Sequence, residues 1–306
     1  LTITLTIMQS KREDMQSRKR ILVTGANGQL GSEMRRLGES SPNDYHFTDV
    51  AELDITDAAA ILAYGADKGF DVIVNCAAYT AVDRAEDDEA TALTINATAV
   101  RNLAEAAKQW GATLIHISTD YVFSGEGNTP RSEDMPTAPL GAYGRTKLRG
   151  EQAIAEVGCK ALIFRTAWLY SEYGNNFLKT MLRLTAERPH LNVVVDQVGT
   201  PTYAGDLAMT IFAIVERDMY QGNEGIYHFS NEGVCSWYDF AVEIARAAGN
   251  VKCEISPCSS AEFPSKVERP HYSVLDKSKV KQTFGVDIPH WRESMLYCLK
   301  RLLTKQ

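Results

Sequence analysis

The stretch that decides the fold is RILVTGANGQLG, residues 20–31. Ile21-Leu22-Val23-Thr24 is an apolar, β-branched run that breaks at Gly25 into a glycine-rich turn and then enters an amphipathic segment over 29–38. A strand that turns through glycines into a helix is the opening of a βαβ unit. Without side chains, Gly25, Gly28 and Gly31 let backbone approach a pyrophosphate, whose charge the free N–H groups of the helix's first turn would meet. The backbone of Gln29 and Leu30 lies on that same turn. The spacing is GxxGxxG, not the GxGxxG of the strict dinucleotide fingerprint, and a tight turn with no ligand is the competing explanation.

Outward from this turn, short apolar runs alternate with helical patterns. Strands are expected at 21–24, 45–48, 71–76, 113–118 and 161–166, with amphipathic stretches at 29–38, 57–68, 89–110 and 143–156. Strands of this kind separated by helices predict parallel crossovers and a sheet covered on both faces. Beyond residue 170 the rhythm loosens, with strands at 192–196, 226–230 and 252–256 and helices near 204–217, 237–248 and 291–303. The expected fold is α/β, a Rossmann-type doubly wound parallel sheet with a smaller C-terminal α/β substrate lobe. It divides into a dinucleotide-binding core at 19–170 and a mainly substrate-binding lobe at 171–306 that interleaves with the core. Residues 1–18 read as a poorly ordered extension.

Composition narrows the function. A chain of 306 residues, 44% of them hydrophobic, buries a large core, and a net charge of −7 offers no basic footprint for nucleic acid or an acidic membrane. No run approaches the roughly 20 apolar residues that cross a bilayer. The six cysteines form no CxxC pair, which fits reduced thiols in a cytoplasmic protein and no zinc site.

Side chains at the strand ends carry the chemistry. Asp49, just past the second strand, is placed to accept hydrogen bonds from an adenosine ribose and to repel a 2′-phosphate, which leans towards NADH over NADPH. Asp54 and Ile55 follow as flanks for adenine, and the small Ala77 and Ala78 leave room for a flat cofactor at the third strand's end. The strand at 113–118 runs into Thr119 and Asp120. Further on, Tyr143 and Lys147 stand four positions apart, on one face of a helix. Carbonyl reduction needs a proton for the developing alkoxide. A phenol has the geometry, a nearby ammonium stabilises its phenolate, and a hydroxyl such as Thr119 bonds the same oxygen as charge grows. Arg165, Lys266 and Arg269 are cations within reach of a nucleotide diphosphate, although surface ion pairing explains them equally well.

TGxxGxxG, the hydroxyl-bearing STD and YxxxK, in that order, resemble the extended short-chain dehydrogenase/reductase superfamily. GQLG, NCAAYTAVDRAE, STDYVFSG, YGRTKLRGE, RTAWLY and DQVGTPT, spanning residues 19–300, resemble the dTDP-4-dehydrorhamnose reductase family within it. The resemblance implies NADPH- or NADH-dependent reduction of the C4 ketone of a dTDP-sugar, the last step of dTDP-rhamnose synthesis. Tyr143 would be the proton donor, Lys147 the holder of the nicotinamide ribose, and Thr119 the group that polarises the ketone. Asp120, Val82 and Trp168 would border the sugar nucleotide. Gly28, Gln29 and Leu30 would lie under the pyrophosphate, with Ala78, Tyr79 and Thr80 along the cofactor. The resemblance also implies a homodimer. Mg²⁺-linked pairing through glutamates occurs in the family, and only Glu33 matches such a position, so no metal site is assigned.

Two other readings compete. A sister epimerase or dehydratase shares the fold, but Tyr121 stands where a dehydratase carries a second carboxylate after Asp120. A non-catalytic dinucleotide-binding regulatory subunit is the third, and the joint presence of Thr119, Tyr143 and Lys147 argues against it.

Overall fold

The structure is a computed structural model that describes residues 18–263 and 265–304. The expectation for residues 1–18 therefore falls, apart from Arg18, outside the described residues. The strands in chain order are β1 (Arg20–Thr24), β2 (Asp44–Thr48), β3 (Val72–Asn75), β4 (Thr113–Thr119), β5 (Ala161–Thr166), β6 (Leu169–Tyr170), β7 (His190–Val194), β8 (Val198–Gly199), β9 (Thr202–Tyr203), β10 (Gly225–His228), β11 (Cys235–Ser236) and β12 (Glu254–Cys258). The helices are α1 (Gln29–Gly38), α2 (Ala58–Gly65), α3 (Val82–Ala85), α4 (Glu89–Leu93), α5 (Ala99–Trp110), α6 (Ala142–Val157), α7 (Phe177–Glu187), α8 (Ala204–Glu216), α9 (Trp237–Ala247), α10 (Ser278–Phe284) and α11 (Trp291–Thr304).

One six-stranded sheet, ordered β10-β5-β4-β3-β1-β2 and parallel throughout, forms the centre. The expected doubly wound sheet is therefore present, with β10, from the last third of the chain, as an edge strand. Strand side chains alternate between faces. Ile21, Val23, Val72 and Val74 meet Leu30 and Met34 of α1 and Leu207 and Ile211 of α8 on one side. Leu22, Ile73 and Leu114 meet Ile61 of α2, Leu103 of α5 and Ile154 of α6 on the other. A third cluster, built from Tyr170, Leu178, Leu191, Phe240 and Met295, holds the smaller lobe together.

The single helix expected over 89–110 is interrupted. Between α4 and α5 lies a π-helical turn, Thr94–Thr98, and it carries the buried Asn96. Such bulges are common where a polar side chain must be aimed inward. The amphipathic pattern runs straight through the interruption, so periodicity alone could not reveal it.

The chain turns back between β1 and β3, the switch point where open parallel sheets bind ligands. Packing there is close. Gly25 has φ +65°, and a Cβ on it would come 2.5 Å from the Ala77 nitrogen. A Cβ on Gly31 would drive into the Gly25 carbonyl oxygen and reach 2.5 Å from the Ala26 Cα. Both obstacles are backbone, which cannot rotate aside. Gly31→Ala should destabilise the protein by about 1–3 kcal/mol, the usual cost of overpacking. Urea unfolding of the variant checks this, and an unchanged midpoint would refute the close contact.

Candidate active site

Above the last apolar row of the sheet lies a polar one. Thr24, Asn75 and His116 face each other in register across β1, β3 and β4, two residues beyond Leu22, Ile73 and Leu114 and on the same face. Thr24 Oγ1 donates to Asn75 Oδ1 at 2.8 Å, which also accepts the Ala77 N–H at 3.1 Å. Asn75 Nδ2 lies 3.1 Å from His116 Nδ1, and His116 Nε2 lies 3.4 Å from Lys147 Nζ. Lys147, 1% exposed, donates to the Ile117 carbonyl at 2.6 Å. Burial pushes the lysine's pKa down to about 8 against the pull of Glu151. Burial, with Lys147 beside it, holds the imidazole far below its ordinary value.

Tyr143, on the first turn of α6, is half-buried, with its ring edge-on to Tyr121 at 5.5 Å. Burial raises its pKa well above that of a free phenol, and a hydrogen bond with Thr119 works the other way. This corrects the expected acidification by lysine: the phenol's partner is Thr119, while the amine's partners are Ile117 and His116. Thr119 Oγ1 also donates to Asp120 Oδ1 at 3.0 Å and accepts the Tyr121 N–H at 3.2 Å. Burial pushes Asp120 up to about 7, opposed by hydrogen bonds from Thr119 and Ser273. Tyr143, Thr119, Asp120 and Lys147 thus gather at the carboxyl edge of β4.

The glycine turn sits at the same edge. Gly28 gives α1 no side-chain cap, so the N–H groups of the helix's first turn are left for an anion. The Gln29 side chain is committed elsewhere. Its Oε1 accepts from Asn176 at 2.9 Å and Ser171 at 3.2 Å, and its Nε2 donates to the Leu169 carbonyl at 3.3 Å, tying the turn to the smaller lobe. Asp49 accepts the Asn27 N–H at 2.9 Å and the Val50 N–H at 2.8 Å, so it braces the turn. Asp54 is exposed, its pKa lowered by the backbone and hydroxyl of Thr56, and Ile55 is buried in the core. Ala77, Ala78 and Tyr79 are partly exposed after β3, followed by the exposed Thr80 and, at the start of α3, Val82.

Sequence reasoning missed four polar residues that hold this edge. Asn96 pins the Tyr79 backbone through both its N–H (2.9 Å) and its carbonyl (3.1 Å), and donates to Thr146, which bonds the Tyr143 carbonyl. Asn75 and His116 connect the polar row to Lys147. Glu151 receives Ser118 and a bidentate grip from Arg165. The signal was there: each is a polar residue at a position that the pattern reserves for apolar ones.

For Lys266 and Arg269 the ion-pairing alternative holds, since they pair with Asp87 and Asp83, whereas Arg165 is buried and spent on Glu151 rather than lying on a solvated surface. Glu33 is 0% exposed. Arg36 holds it at 2.8 Å, and Arg301 bridges it at 3.4 Å to Glu172 at 2.9 Å. A guanidinium already supplies positive charge between the two carboxylates. The donor set therefore does not suit Mg²⁺, and no group of three or more metal-ligating side chains occurs among the described residues.

Beside the edge opens a cavity of about 1220 Å³, walled by Phe177, Val193, Trp237, Arg269 and His271. Behind its wall Trp168 stacks on Trp237 at 3.6 Å, with φ +48°, a strained conformation for so large a residue. Arg269 bonds Tyr121, linking the cavity wall to the ring that packs on Tyr143. Among the described residues, no helix is long and apolar enough to cross a membrane.

The RmlD substrate binding domain family matches residues 19–304. A dTDP-4-dehydrorhamnose reductase of Burkholderia thailandensis is 41% identical over 302 residues, covering 94% of this chain and 100% of its own. A Streptomyces antibioticus protein described as a probable dTDP-4,6-dihydroxy-2-methyloxan-3-one 4-ketoreductase is 43% identical, over 94% of this chain and 97% of its own. A crystal structure of dTDP-4-dehydrorhamnose reductase from Bacillus anthracis in complex with NADP has a TM-score of 0.86 at 38% identity, covering 94% of this chain and 100% of that one. With similarity over nearly its whole length to proteins of that name, the chain belongs to the dTDP-4-dehydrorhamnose reductase family.

Proposed function

We propose that the protein reduces the C4 ketone of dTDP-4-dehydrorhamnose with NADPH or NADH as hydride donor. One observation carries the reading: Tyr143, Thr119 and Lys147 converge at the switch-point edge beside an uncapped helix N-terminus. The nicotinamide cofactor supplies the hydride, and the rest is done by the chain. The first turn of α1 receives the pyrophosphate, and Ala77, Ala78 and Tyr79 line the cofactor. Thr119 directs its hydroxyl at the ketone oxygen, and Tyr143 delivers the proton as charge develops there. Burial raises the phenol's pKa, so it stays protonated until charge on the ketone oxygen draws the proton across. Lys147 holds the nicotinamide ribose and restores the proton. Asp120 and Trp168 orient the sugar, and the cavity beside them takes the nucleotide half, being roomy enough for a ligand of that size.

The Streptomyces antibioticus relative supports a second substrate reading, a neighbouring 4-keto-6-deoxyhexose on the same nucleotide. An assay of NADPH and NADH oxidation with dTDP-4-dehydrorhamnose against that class separates the two, and no turnover with either would sink the reductase reading. Because Asp49 spends charge on two backbone N–H groups, the two cofactors should differ by less than about tenfold in kcat/KM, under about 1.4 kcal/mol. A larger gap would show that Asp49 discriminates. Tyr143→Phe should cut kcat by about 10²–10⁴-fold with unchanged folding; near-normal turnover would place the proton donor elsewhere. Lys147→Met should weaken cofactor binding and remove the alkaline limb near pH 8. A limb that persists in that variant belongs to another group.

A further inference from the structure

We propose that Asn75 and His116 are positioning residues that present an N–H to Lys147 and thereby disfavour its ammonium form. The argument is one of hydrogen-bond direction. Asn75 Oδ1 accepts from the backbone N–H of Ala77, which can only donate, so the orientation of the amide is fixed. Its NH₂ must then face His116 Nδ1, at 3.1 Å. An amide nitrogen has no acceptor capacity, so Nδ1 keeps its lone pair and the neutral imidazole carries its proton on Nε2. That N–H points at Lys147 Nζ, 3.4 Å away. A neutral amine accepts it while donating to the Ile117 carbonyl. An ammonium would instead set two donors against each other in a site without water-like screening. Thr24, by donating to Asn75 Oδ1, ties the relay to the strand that opens the glycine turn.

Other charged groups nearby do not replace this device. Glu151, on α6, pairs with Arg165 of β5 and holds Ser118 of β4, and its remaining pull on Lys147 favours the ammonium, in the sense opposite to the relay. Cys76, after β3, packs against the opposite face of the sheet, with its thiol pushed up to about 12 by burial. Tyr121 is likewise raised to about 12 by burial, and Tyr143 is raised further. Asp120, after β4, titrates about a unit lower than the lysine. A lysine held near 8 passes its proton to a phenolate far more readily than one at its ordinary value, so the relay bears on proton return within the proposed reductase cycle.

Two measurements test the relay. In the full-length protein labelled with ¹⁵N-histidine and without substrate, long-range ¹H–¹⁵N spectra should show His116 with Nε2 protonated and Nδ1 bare, its signals identified by their loss in His116→Gln. A protonated Nδ1 overturns the proposal. In steady-state kinetics, Asn75→Ala, which changes no charge, frees the imidazole to turn its lone pair on Lys147. The alkaline limb of kcat should then rise by about one pH unit, tenfold in proton affinity. His116→Gln, whose amide can present N–H to Lys147 and oxygen to Asn75, should keep the limb where the wild type has it. Asn75→Ala that folds and lowers kcat without moving the limb would reveal a purely structural role and refute the relay. The spectral arm uses no substrate, so failure of the reductase reading leaves it decisive.

Discussion

A lysine amine buried on the face of an apolar sheet is the constraint around which the site is organised. Side chains of Leu22, Ile73 and Leu114 make that face dry, and a charge taken out of water there costs several kcal/mol unless paired. The chain meets the cost with hydrogen bonds rather than a counter-ion in contact. Parallel register brings Thr24, Asn75 and His116 abreast, so polar groups from three strands form one row where the apolar rows end. The same register puts that row beneath the switch point, where backbone from β1 and β3 nearly touches at Gly25 and Ala77. Cofactor crevice and lysine are therefore set by a single alignment of strands.

The two lobes are joined by specific polar ties as well as by the apolar packing of α8 on the sheet. Gln29 reaches from the glycine turn to Leu169, Ser171 and Asn176. Tyr203 donates to Glu172, and Arg301 links both to Glu33 on α1. Glu33 and Glu172 would repel each other across this seam. Arg301 turns that repulsion into a clamp, though a buried ion pair of this kind specifies geometry more than it adds stability. Trp168 completes the seam. Its left-handed backbone, costing about 1–3 kcal/mol, is retained where the indole is pressed between Gly199 and Trp237.

What was legible in the sequence was local or periodic. The five strands leading from the glycine turn and the helix bearing Tyr143 and Lys147 are announced by composition and spacing, and they lie within about two residues of their expected bounds. The small lobe was less so, because β6, β8, β9 and β11 are two-residue strands that leave no pattern to read. Helices α7 and α10 also went unread. At the site, backbone-facing positions such as Gly25 and Ala77 could be inferred, whereas Arg165, Lys266 and Arg269 could not, because a cation's partner sits far away in the chain. Glu151 is 14 residues from Arg165, and Asp83 is 186 from Arg269. Glu33 is obscured for the same reason: on a helical wheel it is a polar residue of an amphipathic helix, and its partner Arg301 arrives from the last helix.

The Tyr-Lys spacing acquires a different meaning once the partners are known. Placed one turn apart, the two groups suggest direct charge stabilisation of a phenolate. Instead each is bonded into its own layer, the phenol to Thr119 and the amine to Ile117 and His116. Burial acts on both in the direction of neutrality, raising the acid and lowering the base. A protonated phenol beside a lysine held near 8 is a pair in which the ammonium can return a proton to the phenolate that the reaction leaves. In a dry site that matters more than static attraction, because proton return turns a phenolate and an ammonium into two neutral groups, the direction that burial favours. The helix thus serves the chemistry by holding phenol and amine at matched depth, and the sheet beneath aims one imidazole N–H at the amine.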